Sequence, residues 1–208
     1  MAGVSAVLLA AGESTRMGDH KALLPWQGTT LLEYQARSLL DGGCTEVVVV
    51  LGFQSARLRP HVLDDPRVRS VLNRRYRQGK TASIRAGLRG IDRAAEGVLI
   101  VGVDQPRPPE LVAQLLAAFR QSGAPLVVPA YRGRRGHPVL FSAGLLPELM
   151  RISEEREGLR EVVERYRAQR LVVESDCPLV TVNINTPEEY QAALLLAAGC
   201  AQDGRRLL

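Results

Sequence analysis

Two glycines and two cations follow the first apolar run of the chain in an order that suits polyphosphate binding. The run Val4–Leu9 ends in a loop that contains Gly12 and Gly18, together with Arg16 and Lys21. Glycines allow backbone N–H groups to converge on phosphate oxygens, and the two cations neutralise charge that amides cannot. The pattern favours a polyphosphate loop. The alternative is a surface turn whose arginine and lysine face water.

The spacing in this loop excludes two common nucleotide-binding motifs. A Walker-type loop ends in Gly-Lys-Ser/Thr, whereas Gly18 is followed by Asp19. A dinucleotide fingerprint requires Gly-x-Gly-x-x-Gly, whereas Gly12 is followed by Glu13 and Ser14.

An acidic residue follows the most apolar stretch of the chain. Val98–Val103 predicts a central buried strand, and it runs directly into Asp104-Gln105-Pro106. Mg²⁺ needs only one or two protein oxygens in addition to water and substrate phosphate, so Asp104 suits a phosphate-bridging ion. The alternative is that Asp104 caps the next helix. However, Pro108 and Pro109 begin that helix, so Asp104 lies too many residues before its start to be the cap.

A third segment of interest lies after a predicted strand at Val68–Leu72. Gly79 and Ser83 stand at the start of the helix that follows, and ligands of open parallel sheets bind beyond the carboxyl ends of the strands. The segment is therefore placed to hold a base or ribose, and a plain capped helix is the alternative.

Short β-branched runs alternate with helical periodicity along the chain. This order predicts right-handed βαβ units and an α/β fold, a Rossmann-like three-layer α/β/α sandwich with a mostly parallel central sheet. Residues 1–200 are expected to form one domain, with 201–208 as a polar tail. The remaining predicted strands are Glu46–Leu51, Ala124–Pro129, Val139–Phe141, Leu171–Glu174 and Leu179–Asn183, and Thr186-Pro187-Glu188-Glu189 predicts the start of the last helix.

Composition narrows the protein class further. The 208 residues are 46% hydrophobic and 24% charged, which is ordinary for a soluble globular protein. Three widely spaced cysteines indicate reduced thiols, and the absence of a signal peptide or a membrane-length apolar run predicts a cytoplasmic protein with no membrane partner. The net charge of +5 suits an anionic small substrate, and short arginine runs without aromatic interleaving make nucleic acid a poor partner.

The ordered first loop reads Leu-Ala-Ala-Gly-x-Ser-x-Arg-Met-Gly-x-x-Lys-x-Leu-Leu-Pro. It resembles the signature loop of the molybdenum cofactor cytidylyltransferase and guanylyltransferase family. In that family the loop wraps the triphosphate of an NTP, which implies catalytic roles for Arg16, Lys21 and Asp104 and Mg²⁺ as cofactor. The resemblance implies nucleotide contacts from Leu9, Ala10, Ala11, Gly12, Ser14, Arg16, Lys21, Asn73, Gly79, Ser83 and Asp104.

The resemblance also implies an acceptor side and a second metal ligand. The family's Gly-Arg-x-Gly-His/Asn-Pro segment corresponds to Arg135 and His137, although composition alone equally favours a solvated loop and a structural histidine. Gln105 and Arg160 complete the implied acceptor set, but the Gly-Asp that usually precedes Arg160 in the cytidylyltransferase branch is absent. Asn185 stands where many relatives carry a metal-binding Asp, and a turn residue before a helix is the alternative.

Together these features predict transfer of a nucleoside monophosphate to a phosphate-bearing acceptor with release of pyrophosphate. Leu-Ala-Ala-Gly and Gly-His-Pro favour CTP, whereas Asn-x-Asn-Thr-Pro-Glu-Glu favours GTP. The resemblance implies molybdopterin as the acceptor and a molybdoenzyme or its maturation factor as a protein partner. The alternatives are a nucleotidyltransferase of a sugar phosphate or phospho-acid, and a non-catalytic nucleotide-binding or cofactor-insertion protein.

Overall fold

The computed structural model describes residues 3–13, 17 and 20–203. Within these residues ten strands form two sheets, the smaller of which pairs only β2 with β3. The strands are β1 (Val4–Ala10), β2 (Pro25–Trp26), β3 (Thr29–Thr30), β4 (Glu46–Leu51), β5 (Val68–Leu72), β6 (Gly97–Gly102), β7 (Leu126–Tyr131), β8 (Arg134–Arg135), β9 (Val139–Ser142) and β10 (Arg170–Glu174).

Helices connect the strands and cover the main sheet. The α-helices are α1 (Leu31–Asp41), α2 (Ser55–Leu58), α3 (Lys80–Leu88), α4 (Pro109–Ser122), α5 (Leu146–Leu149), α6 (Leu159–Arg165) and α7 (Pro187–Asp203). Short 3₁₀ turns cover Lys21–Leu23, Arg59–His61, Tyr76–Gln78, Ala143–Leu145, Glu154–Arg156 and Pro178–Thr181.

The main sheet is mostly parallel, in the order β10-β7-β9-β6-β1-β4-β5, with β8 paired to β7. β1 is hydrogen-bonded in parallel to both β4 and β6, and β4 in parallel to β5. The register places Leu9 beside Gly102, and Ala10 beside Leu51. The carboxyl ends of β5, β4, β1 and β6 therefore lie along one edge of the sheet, where ligands of such folds bind.

One strand runs against this direction. β9 is antiparallel to both β6 and β7, and Val139 pairs with Ile100. The start of β9 consequently lies at the same edge as the end of β6, which brings the residues before Val139 towards Asp104.

The core consists of two layers of apolar side chains, one on each face of the sheet. Alternate residues of β4 point to opposite faces, so Val49 and Val50 belong to different clusters. The first cluster includes residues of α1, α4 and α7, and the second includes residues of α3, α5 and α6. This arrangement confirms the predicted three-layer α/β/α sandwich.

The predicted strand at Leu179–Asn183 is wrong. Pro178–Thr181 forms a 3₁₀ turn instead, and the residues after it have no strand partner among the described residues. The backbone groups of this segment bond to neighbouring loops, because Val180 O accepts from His137 N at 3.1 Å and Ile184 N donates to Asp104 O at 2.8 Å. The apolar pattern reflects burial beneath loops rather than sheet pairing.

The start of α7 agrees with the sequence prediction. Thr186 Oγ1 accepts a hydrogen bond from Glu189 N at 3.3 Å, and Glu189 Oε2 accepts from Thr186 N at 3.2 Å. This reciprocal pair is a capping box. Glu189 Oε2 also accepts from Asn185 N at 2.6 Å, which fixes the backbone of Asn185 relative to the helix.

Cys44, Cys177 and Cys200 carry free thiols. No helix in the described part of the chain combines the length and apolar character needed to cross a membrane.

Candidate active site

Three polar side chains from distant parts of the sequence meet at the carboxyl edge of the sheet. Lys21 Nζ donates a hydrogen bond to Asn185 Oδ1 at 2.9 Å and lies 3.5 Å from Asp104 Oδ2. The Asp104 side chain is 32% exposed and that of Lys21 is 13% exposed, so the carboxylate is open to a ligand. The structure thus brings together the lysine of the first loop and both residues predicted to bind metal.

Backbone contacts fix the position of Asp104 directly after β6. Val103 N donates to Leu9 O at 2.9 Å, and Ile184 N donates to Asp104 O at 2.8 Å. A methyl group at Gly102 would lie 2.3 Å from Asp104 Oδ1, so only glycine leaves room for the carboxylate in this position. This role of Gly102 was not predicted from the sequence.

The donor set fits a magnesium ion that binds together with phosphate. Asp104 Oδ2 and Asn185 Oδ1 both face one point, which the Lys21 ammonium occupies. Mg²⁺ prefers oxygen ligands and keeps several waters or substrate oxygens, so two protein oxygens suffice. No cluster of three or more His, Cys, Asp or Glu side chains that could hold a metal by itself occurs in residues 3–13, 17 and 20–203.

The described part of the first loop follows β1 at this edge of the sheet. Leu9 and Ala10 are buried in β1, which is hydrogen-bonded to a strand on each side, so the nucleotide contacts of these two residues stay predictions. Gly12 is exposed, and a Cβ there would have no neighbour within 4 Å. The predicted contacts of Ser14 and Arg16 lie outside the described residues.

Two residues predicted to bind the nucleoside contact each other. Asn73 follows β5 and is buried, and its Nδ2 donates to Ser83 Oγ at 3.0 Å. Its Oδ1 accepts from Arg75 N at 3.0 Å, so the amide holds both the loop before α3 and the first turns of that helix.

Gly79 has a conformational and a steric reason to be glycine. Its φ of 104° lies in the region that disfavours side chains, and a Cβ would lie 2.3 Å from the Glu154 carboxylate. Glu154 Oε1 accepts from Thr81 N at 2.7 Å. The segment that precedes Arg160 therefore lies directly against the nucleoside segment.

An aromatic group borders the first loop. Phe53 N donates to Ala11 O at 3.1 Å, and the Phe53 ring lies 6.2 Å from His20 and 6.3 Å from Tyr76, measured between ring centroids. Phe53 was not predicted from the sequence, although an aromatic residue two positions after the second predicted strand is a signal for a residue at this edge.

The predicted acceptor residues do not form one group. Gln105 is buried, and its side chain accepts from Gly102 N at 2.9 Å and donates to Asn183 Oδ1 at 2.6 Å. Arg135 is exposed in β8, and Arg160 is exposed with its Nε 3.9 Å from Glu157 Oε2. His137 is partly buried before a cis peptide bond to Pro138. The acceptor roles of these four residues stay predictions.

A buried glutamine that the sequence analysis missed supports the Asp104 loop. Gln35 of α1 donates from Nε2 to Gly102 O at 3.3 Å and to Gln105 O at 2.5 Å. The sequence contains a signal for this role, because Gln35 shares the inward face of α1 with Leu32 and Leu39. A polar residue at a core position requires buried partners.

The ionisation of His137 leads to a stability prediction. Burial lowers the pKa of His137 to about 4, and the charges of Lys80 and Arg107 act in the same direction. An unfolded histidine titrates near pH ~6.5, so between these values the unfolded chain binds more protons than the folded chain. We expect the free energy of unfolding to fall by about 3 kcal/mol as pH is lowered from ~6.5 to ~4, with no contribution above that range. Urea titrations at a series of pH values measure this change in the free energy of unfolding.

The variant His137→Gln should flatten this pH dependence. His61→Gln, in the turn after α2, is the matched control for the substitution. Equal slopes for wild type and His137→Gln would contradict the assignment.

A separate cleft of about 1670 Å³ lies away from these residues, between α1, the start of α4 and the end of α7. Neither Lys21, Asp104 nor Asn185 lines it. We assign the candidate active site to the sheet edge because the charged and amide side chains converge there. The size of a cleft does not by itself indicate a reaction.

Comparison with known proteins agrees with this geometry. A family model described as the MobA-like NTP transferase domain matches residues 6–171. The molybdenum cofactor cytidylyltransferase of Escherichia coli is 24% identical over 93% of this chain and 96% of its own length. The molybdenum cofactor guanylyltransferase of Xanthomonas euvesicatoria is 29% identical over 88% of this chain and 90% of its own length.

Two further relatives extend the comparison. The nicotine blue oxidoreductase of Paenarthrobacter nicotinovorans is 38% identical over 69% of this chain and 73% of its own length. The crystal structure of Mycobacterium tuberculosis Rv0371c in complex with manganese has a TM-score of 0.71 and 26% identity, and covers 92% of this chain and 98% of that one. With the family model matching well over half of its length, the chain belongs to the MobA-like NTP transferase domain family.

Proposed function

We propose that this nucleotidyltransferase-family protein transfers CMP from CTP to a phosphate-bearing acceptor of the molybdopterin type and releases pyrophosphate. The observation that carries the proposal is the convergence of Lys21, Asp104 and Asn185 at the carboxyl edge of the sheet, next to the first loop. A cation, a carboxylate and an amide oxygen on one point form a suitable receptor for a metal-bound triphosphate.

The reaction needs charge stabilisation more than proton transfer. A phosphate oxygen of the acceptor attacks the α-phosphorus of the NTP in line. The bond from that phosphorus to the bridging oxygen breaks, and pyrophosphate carries away the electron pair. The acceptor oxygen is already ionised near neutral pH, so a general base is not required. The main demand is neutralisation of the negative charge on the phosphoryl oxygens.

Different residues would neutralise the phosphate charge and bind the nucleoside. Asp104 and Asn185 would hold Mg²⁺, which when bound neutralises and orients the phosphates. The manganese in the related Mycobacterium tuberculosis structure supports a divalent ion in this fold. Lys21 would exchange its contacts with Asp104 and Asn185 for phosphate oxygens, and Arg16 would bind the same triphosphate. Asn73, Gly79 and Ser83 would shape the nucleoside side.

The choice of CTP and of molybdopterin rests on sequence and on the names of relatives. The Escherichia coli relative is named a cytidylyltransferase and the Xanthomonas relative a guanylyltransferase, and both names specify the molybdenum cofactor. Leu9–Gly12 and Gly136–Pro138 favour CTP, whereas Asn183–Glu189 favours GTP. The protein partner we propose is a molybdoenzyme or its maturation factor, in the cytoplasm, where nucleoside triphosphates are supplied.

Pyrophosphate release with each of the four NTPs tests this function. Each reaction contains Mg²⁺ and either molybdopterin, a sugar phosphate or no acceptor. We expect release with CTP and molybdopterin, and loss of release when EDTA removes the metal. Transfer to a sugar phosphate instead would revise the acceptor, and a preference for GTP would revise the base. CTP binding by calorimetry without turnover on any acceptor would favour a non-catalytic binding or insertion protein.

The 38% identity to an enzyme named an oxidoreductase supports a second candidate function. An oxidoreductase would consume a reductant and would release no pyrophosphate. The same preparations should therefore be tested for NADH and NADPH oxidation with nicotine blue as the acceptor. Reductant consumption without pyrophosphate release would favour this candidate over nucleotide transfer.

A further inference from the structure

A buried arginine directly after the Asp104 loop donates hydrogen bonds to three peptide oxygens. Arg107 is 1% exposed. Its Nε donates to His137 O at 2.7 Å, its Nη1 to Pro106 O at 2.9 Å and its Nη2 to Val182 O at 3.0 Å. Each nitrogen of the guanidinium therefore bonds to a different loop position.

The three acceptors belong to the three segments that carry candidate site residues. Pro106 lies two residues after Asp104, and Val182 lies three residues before Asn185. The bond from Ile184 N to Asp104 O, at 2.8 Å, joins two of these segments directly. Arg107 joins both of them to the loop that contains His137.

The backbone of Arg107 is itself anchored to α1. Arg107 N donates to Gln35 Oε1 at 2.9 Å, and Ser38 Oγ donates to Arg107 O at 2.5 Å. The guanidinium therefore projects from a fixed base on a long helix, so a displacement of any of the three loops would break at least one of its hydrogen bonds.

Joining loops through a buried charged side chain costs free energy. Among residues 3–13, 17 and 20–203 the hydrogen-bond partners of this guanidinium are all neutral carbonyl oxygens. Burying a cation without a carboxylate partner costs free energy that an apolar side chain would not. Burial lowers the pKa of Arg107 to about 9, and the charge of Asp104 acts against that shift, so the side chain remains cationic at neutral pH.

We propose that Arg107 is a positioning residue that holds the segments of Asp104, His137 and Asn185 at the separation needed for a metal-bound nucleotide. The planar guanidinium supplies donors in three directions, which neither lysine nor a neutral side chain can reproduce. The inference rests on the proposed nucleotidyl transfer for its catalytic consequence, and on the hydrogen bonds alone for its structural one.

The catalytic test compares Arg107→Ala with Arg107→Lys and with Arg120→Ala. Arg120 is an exposed arginine of α4 paired with Glu96, so it serves as the matched control. Arg107→Ala should lower kcat/KM for nucleotide transfer by about 10- to 100-fold, a loss typical of substitutions at residues that orient metal ligands. It should also raise the Mg²⁺ concentration that gives the half-maximal rate. Arg107→Lys should recover only part of the loss.

Chemical rescue distinguishes positioning from general destabilisation. Millimolar guanidinium should raise kcat/KM of Arg107→Ala about fivefold or more, because it can refill the three-acceptor cavity, whereas methylammonium should not. Neither ion should raise the rate of Arg120→Ala. A folded Arg107→Ala with wild-type kcat/KM and Mg²⁺ dependence would overturn the proposal, and so would equal rescue by both ions.

Hydrogen exchange provides a measurement that does not depend on activity. In Arg107→Ala, amide exchange should rise about tenfold in residues 101–107, 136–140 and 180–187 together, and guanidinium should reverse the rise. Arg120→Ala should leave these segments unchanged. If Arg107→Ala does not fold, Arg107→Lys takes its place, and wild-type exchange in that variant overturns the inference. Should wild type release no pyrophosphate from any NTP, the proposed function fails, and exchange still decides whether Arg107 holds the loops.

Discussion

Replacing Asp104 with asparagine should lower kcat for nucleotide transfer by about 10²- to 10³-fold, the cost usual for removing one charge that stabilises a transition state. The substitution keeps the size of the side chain and removes only its negative charge. The ion would then meet two amide oxygens, one from position 104 and one from Asn185, and two neutral amides bind Mg²⁺ more weakly than a carboxylate and an amide. We therefore expect a higher Mg²⁺ requirement together with the lower kcat. Pyrophosphate release over a range of Mg²⁺ concentrations measures both.

The folded state should tolerate this change. The Lys21–Asp104 pair is 3.5 Å apart with Asp104 32% exposed, and such a pair contributes about 1 kcal/mol or less to stability. The melting temperature should therefore stay within a few degrees of wild type. Asp64→Asn is the matched control, since Asp64 is exposed before β5 at the opposite edge of the sheet. Wild-type kcat and Mg²⁺ dependence in Asp104→Asn would remove Asp104 from the metal site.

The meeting of Lys21 with Asp104 could be predicted from the sequence because both follow apolar runs of the strand type. Val4–Leu9 and Val98–Val103 are too apolar to lie anywhere but inside the sheet, and adjacent parallel strands end at the same edge. The register of Leu9 with Gly102 then brings the residues after the two strands together. Strand identity and direction were enough to predict this part of the site.

The segment at Leu179–Asn183 could not be predicted in the same way. Alternating apolar residues indicate burial, but they do not indicate whether the backbone bonds to a strand or to loops. Here Val180 O accepts from His137 N and Val182 O accepts from Arg107, so the segment packs across loop ends. The partners lie about 40 and 75 residues away in sequence, beyond the reach of a local pattern.

Buried polar residues were the other class that the sequence analysis missed. Gln35 and Arg107 have ordinary surface residue types, and only their buried positions and their partners show that they are structural. The burial of Gln105 among Gly102 and Asn183 is of the same kind, because the sequence places it beside Asp104 but does not reveal that its amide is already engaged. Such roles depend on three-dimensional neighbours, so they become visible only with the fold.

Replacing Lys21 with methionine should affect metal binding and turnover in opposite directions. In the structure the Lys21 ammonium contacts Asp104 Oδ2 and Asn185 Oδ1, the two oxygens proposed to bind Mg²⁺. Removing the ammonium removes a competitor for these oxygens, worth about 1 kcal/mol or less. Lys21→Met should therefore bind Mn²⁺ up to about fivefold more tightly than wild type when no nucleotide is present. Calorimetry or the paramagnetic signal of free Mn²⁺ measures the change.

Turnover of the same variant should fall by about 10²-fold, because the triphosphate loses a cation whose charge counts most in the transition state. Lys21→Arg is the control for charge. It keeps a cation near the phosphates but changes its geometry, so it should retain part of the rate. Asp104→Asn should weaken both Mn²⁺ binding and turnover, whereas Lys21→Met separates them. A Lys21→Met variant with wild-type kcat would show that the lysine does not act on the triphosphate. Weaker Mn²⁺ binding would show that the two oxygens need the ammonium to face one another.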